Sequence, residues 1–161
     1  MFSSRLIPLR RNVFSLTSNA ERLEYIQEGI EAAWDEEHSL ETDKAWDAIH
    51  RCLTDGNLTL AATDNPLGKL IVGGQQLYSD TQNYIINFVD HSELPEISEA
   101  LKTVTKEWMK VRYDSLRDTD YPQEFISDQD WQYTWDWFSG IPDFIGRTDR
   151  EGRSVIFTVD Q

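Results

Sequence analysis

Asp43, Asp47 and His50 stand at i, i+4 and i+7, which puts two carboxylates and an imidazole on one face of a helix. Such a set could hold a divalent cation or work as an acid/base pair. A closed site needs a third or fourth ligand from another element, and the sequence signals none. The three residues are therefore a possible pocket, weighed against a structural histidine seated beside an apolar stripe. A second cluster is the block Trp131, Tyr133, Trp135 and Trp137, interleaved with Asp128, Asp130 and Asp136. On a helix, Trp131, Trp135 and Phe138 share one side, and Tyr133 or Trp137 turns toward the rim. An aromatic ring among acids suits a partner rich in Lys and Arg.

Other patterns are poorer in chemistry. Gly73-Gly74 lacks a following Lys-Ser/Thr and any Gly-x-Gly-x-x-Gly frame, so it reads as a turn needing positive φ and not as a phosphate cradle. Asp118-x-Asp120 and Asp128-x-Asp130 lack the glycine and glutamate of a calcium loop. Neither Gly-x-Ser-x-Gly nor His-Glu-x-x-His occurs, and His38 and His91 fall outside any catalytic pattern. The single Cys52 lies on a helical stripe and reads as a small buried hydrophobe. No metal or cofactor is expected.

The elements that must position these residues follow from periodicity and punctuation. Arg5–Leu9 reads as a first strand, with a further apolar piece at Val13–Leu16. The arginine-rich, acid-free first twenty residues also fit a transit peptide, the less favoured reading. Ser18…Glu21 is a capping box opening a helix through Leu23, Ile26, Ile30, Ala33 and Trp34. A second helix spans about Glu41 to Leu53 and stops at Asp55-Gly56. Leu58–Ala62 could be a short strand, and Asn65-Pro66 starts a brief helix ending at Gly73-Gly74. Asn83–Val89 reads as a buried strand. One long helix is expected from Ser92 to about Leu116, with Leu94, Ile97, Leu101, Val104, Trp108 and Val111 as its stripe. Trp46, Ile49, Leu101, Val104 and Trp108 should share one core. Ser127–Arg150 fits strand and helix alike; the start signal Ser127…Asp130 favours helix, broken near Ile141 by Pro142. Ser154–Val159 closes the chain as a strand.

The pattern Lys44-Ala45-Trp46…His50, then Asn65-Pro66-Leu67, then Gly73-Gly74, resembles the family called domain of unknown function 1877, the YfbM-like family. The likeness runs from about Asp43 to Val159. Ahead of it, this chain inserts Arg10–Phe14 where the family has a short opening. The resemblance implies a mixed α+β (α/β) fold with three layers, helices around a small mixed sheet, and a helix at Ser127–Arg150. It implies no settled activity.

Length sets one domain over residues 1–161. The formal charge is −14 and is uneven. Ser18–Asp64 carries twelve acids against Arg22, Lys44 and Arg51, and Tyr113–Asp143 carries eight against Arg117. That field repels phosphate backbones, so nucleic acid is not the expected partner; it attracts cationic proteins and speeds their encounter. No apolar run is long enough to span a bilayer. The expectation is a cytoplasmic acidic binding module, in concrete form an immunity or antitoxin-type protein that neutralises a basic toxin. Its partner-binding residues would be Asp128, Asp130, Tyr133, Asp136 and Trp137. The alternative is an enzyme or small-ligand binder with a site near Asp43, Asp47 and His50.

Overall fold

The structure is a computed structural model and describes residues 3–9, 18–26, 39–80 and 84–160. Strand β1 (Ser3–Leu9) is followed by α1 (Asn19–Glu24) and a two-residue β2 (Leu40–Glu41). A 3-10 turn at Asp43–Ala45 leads into α2 (Trp46–Leu53). A one-turn α3 (Pro66–Gly68) continues as a π-helical turn, Lys69–Gly73. Then come β3 (Gln75–Asp80), β4 (Tyr84–Val89), α4 (Leu94–Leu101), α5 (Lys106–Ser115), α6 (Asp128–Phe138), α7 (Ile141–Arg150) and β5 (Ser154–Asp160).

Among the described residues, five strands form one sheet in the order β2-β1-β5-β4-β3. Every pairing is antiparallel, which corrects the mixed sheet expected from the family likeness. The side-chain period of two divides the sheet cleanly. Leu6, Ile85, Val89, Val155, Phe157 and Val159 face the core under α2 and α4–α7, while Ile86, Phe88 and Ile156 face the other way with Leu77 and Ile26. Three layers result: helices, sheet, and the α1 segment. Because both faces are covered, β5 is buried from Ser154 to Val159 and reads as a nearly continuous apolar run.

Several boundaries follow the local signals. Ser18 and Glu21 form the capping box of α1, and Ser127 caps α6 by accepting from the Asp130 N–H. The remainder of the first expected helix and the piece Val13–Leu16 lie outside the described residues. Gly56 takes φ +92° after α2, a conformation other residues adopt only with strain. The helical region at Ser127–Arg150 breaks at Ser139-Gly140, and Pro142 sits in the first turn of α7, where its missing N–H is no loss.

Three expectations need correction, and one strand was not expected at all. The long helix from Ser92 is two helices. The Leu101–Thr105 stretch breaks it, and Thr105 recaps α5 by accepting from the Trp108 N–H. The break resets the phase, so α5 buries Met109 and Tyr113 and leaves Val111 68% exposed. Residues 58–62 form no strand: Leu58 and Leu60 pack against the core but find no ladder partner. β3 was not foreseen, since Gln-Gln-Leu-Tyr-Ser-Asp is a polar edge strand. Gly73 and Gly74 do not take positive φ. A Cβ on Gly73 would collide with the Gly68 carbonyl, and one on Gly74 would meet the Phe88 carbonyl, so close backbone approach explains the pair. Of the five residues expected to share a core, Ile49, Leu101 and Val104 are buried in it, and Trp46 and Trp108 pack half-buried on its edge.

Candidate functional site

Asp43, Asp47 and His50 are drawn to three different neighbours. Asp43 precedes the regular helix at φ +42°, a strained value for a residue with a Cβ. The Ser4 hydroxyl donates to its carbonyl, and the Tyr133 hydroxyl of α6 donates to its carboxylate. The Lys44 N–H reaches the same phenol oxygen at 3.4 Å. Burial, aided by the Asp43 carboxylate, pushes the Tyr133 phenol up to about 12. This corner ties the sheet edge to α6.

Asp47 accepts from Arg51 Nε at 2.6 Å. Its carboxyl is raised because burial outweighs the guanidinium. Arg51 is only 4% exposed. It also donates to the Gly56 carbonyl at 3.1 Å and to the Asp120 carboxylate, and it lies over the Tyr121 ring, 5.6 Å from the centroid. The Arg51 hydrogen bond holds the exposed Asp120 carboxyl below the usual carboxylate range.

His50 points elsewhere again. It is 2% exposed, and burial pulls its imidazole down to about 4 despite a hydrogen bond with the Thr59 backbone, so it is neutral at physiological pH. Nδ1 has no hydrogen-bond partner. The ring helps line a cavity of about 330 Å³ between α2 and the 57–65 segment. Neighbouring Cys52 is fully buried and its thiol is pushed up to about 12 by that burial, which leaves it protonated and inert. Among the described residues no group of three or more His, Cys, Asp or Glu is placed to hold a metal ion.

The aromatic block is anchored inward. Trp131 and Phe138 are buried, and Tyr133, Trp135 and Trp137 are half-buried against the core. Tyr133 and Trp137 meet edge to face at 6.2 Å. Asp130 accepts from the Tyr113 hydroxyl at 2.5 Å and from the Tyr121 hydroxyl at 3.2 Å. Both phenols are raised, first by burial. Asp128 and Asp136 are exposed, and Asp136 accepts from the Gln132 amide at 2.6 Å.

Among the described residues, the aromatic that stands free among acids is Phe125, 54% exposed. It sits in the loop between α5 and α6, with exposed Asp118, Asp120, Glu124 and Asp128 along the same stretch. That loop is pinned at several points. Arg51 holds Asp120, Tyr121 is buried with its ring against Phe125 at 6.4 Å, and the Gln123 amide donates to the Tyr121 carbonyl at 2.8 Å. The Phe125 N–H donates to the Pro122 carbonyl at 3.1 Å, and the Ser127 hydroxyl to the Phe125 carbonyl at 3.2 Å. Sequence reasoning missed Phe125 because periodicity ranks rings within helices. The usable signal was an aromatic outside any stripe, after a proline, in a run of acids.

The fold and this surface define an acidic α+β domain whose helical layer presents a fixed aromatic loop. The chain belongs to the domain of unknown function family DUF1877, whose profile matches residues 11–158 and so begins well before the Asp43 limit of the residue-level likeness. It is similar in structure to YfbM from Escherichia coli, a protein of unknown function, with TM-score 0.62, 16% identity and 99% of each chain covered. At that identity the likeness concerns the fold alone. No curated protein matches the chain. No helix among the described residues is long and apolar enough to cross a membrane.

Proposed function

We propose that the protein is an acidic binding module that docks on and neutralises a basic protein, in the manner of an immunity protein or antitoxin. The observation that carries this reading is Phe125: a half-exposed ring, held by a pinned loop, among Asp118, Asp120, Glu124 and Asp128. An aromatic fixed in advance loses little freedom when it enters a partner's pocket. The acids around it speed the approach of a cationic surface and disfavour anionic competitors. Two of the three groups expected to carry chemistry have structural work instead: Asp47 holds Arg51 and Asp43 holds Tyr133. The anchor thus moves from Tyr133 and Trp137, which pack on the core, to Phe125, while Asp128 remains among the exposed acids of that stretch.

The test is protection. The chain is co-expressed with a panel of basic protein toxins, and growth and co-purification are scored. Restored growth together with a complex that Phe125→Ala weakens at least tenfold supports the reading. Growth restored equally by Phe125→Ala places the interface elsewhere, and failure with every toxin tried removes the function.

A further inference from the structure

We propose that the cavity between α2 and the 57–65 segment binds a small hydroxylated ammonium ion, with Asp55 as its counter-charge and His50 in the inner wall. At about 330 Å³ it lies at the small end of the range that ligand pockets occupy. Its walls are fixed by hydrogen bonds within the chain. The Thr63 N–H donates to the Gly73 carbonyl at 2.9 Å, and the Thr63 hydroxyl accepts from the Asn65 N–H at 3.1 Å. Asn65 caps α3, and Arg112 holds the Thr54 carbonyl at 2.7 Å.

The lining decides the ligand's charge. It contains no Lys or Arg, and Arg112, which adjoins Thr54, is committed to that residue's carbonyl and to the Trp108 ring, 4.2 Å from its centroid, so the lining offers an anion no counter-charge. Its one carboxylate, Asp55, accepts from the Asn57 N–H at 3.1 Å, which keeps it ionised, and it makes no salt bridge among the described residues. His50 is neutral and adds no positive charge. The site is therefore net negative within a strongly negative molecule, the setting that concentrates a cation. Thr54, Thr59, Thr63, Asn57 and Asn65 line the cavity; the Thr54 hydroxyl donates to the His50 carbonyl at 2.9 Å and keeps acceptor capacity, and this polar lining suits a ligand bearing hydroxyls as well as an ammonium. In the buried wall, His50 Nδ1 has no hydrogen-bond partner within the protein, so its acceptor capacity is unused by the fold.

The experiment titrates glucosamine, glucose and glucose 6-phosphate into the 15N-labelled chain. Glucosamine should shift the amides of Thr54–Asn65 saturably. Glucose should bind about tenfold more weakly, the equivalent of about 1.4 kcal/mol, and glucose 6-phosphate should not bind. Asp55 is exposed, so Asp55→Asn folds, as a melt verifies, and should remove the preference for glucosamine over glucose. The proposal is overturned by unmoved amides at millimolar glucosamine, by equal binding of glucose, or by a preference that survives Asp55→Asn. None of these outcomes bears on docking at Phe125.

Discussion

At the scale of single residues, the informative group is His50. A histidine whose folded pKa is lowered stays neutral while the unfolded chain takes up a proton. Between its ordinary 6.5 and about 4 the unfolded state therefore binds more protons, and stability rises with pH across that window. The full loss on acidification is about 3 kcal/mol, from about 1.4 kcal/mol per pH unit. Other groups titrate in the same range; the Asp120 carboxyl, lowered by Arg51, adds a loss of the same sign as pH falls through its folded value. The comparison with His50→Gln isolates the histidine. Urea unfolding at intervals from pH 4 to 7 should show the wild-type chain falling more steeply than the variant. Parallel profiles would mean that the imidazole is not buried neutral. The sequence placed His50 correctly on α2 beside the apolar stripe, but it could not tell a shared face from a shared site. Asp43 lies in the 3-10 turn ahead of α2 and meets α6, while on α2 itself Asp47 meets Arg51 and His50 meets the 57–65 segment.

At the scale of elements, caps were legible and pairing was not. Ser18, Asn65 and Ser127 each perform the capping that their positions announced, because a cap is a contact within four residues. The break between α4 and α5 was lost because Leu94 through Val111 keep an acceptable helical spacing across it; only the β-branched run Thr103-Val104-Thr105 hinted otherwise. β3 was lost because an edge strand need not be apolar. Alternation at 58–62 recorded burial without pairing. Tyr133 and Asp43 join two elements, linking α6 to the turn before α2 and, through Ser4, to β1. Tyr133→Phe keeps the edge contact with Trp137 and removes only the hydroxyl. It should lower stability by about 1–2 kcal/mol, seen as a fall of a few degrees in Tm. An unchanged melt would show that solvent serves Asp43 equally well.

At the scale of the whole molecule, the net charge and its distribution were visible from the first reading, while the surface that concentrates it had to be seen. A reversal of Asp128, Asp130 and Asp136 would confuse two effects, because Asp130 ties Tyr113 and Tyr121 together and its loss unsettles the core. Asp118, Glu124 and Asp128 are exposed, and the described contacts give none of them a side-chain partner. Reversing these three to Lys should leave Tm nearly unchanged and slow association with a basic partner by at least tenfold at low salt. Raising salt from about 0.05 to 0.5 M shortens the Debye length from over 10 Å to a few ångström, and should slow the wild-type chain toward the rate of the reversed one. Phe125→Ala should act on the other rate: the encounter keeps its steering, and the complex, missing its anchor, dissociates faster. Rates measured by surface binding at three salt concentrations separate the two contributions. If the reversed chain associates as fast as the wild type at every salt, the acids serve solubility alone and docking at this loop is lost with them.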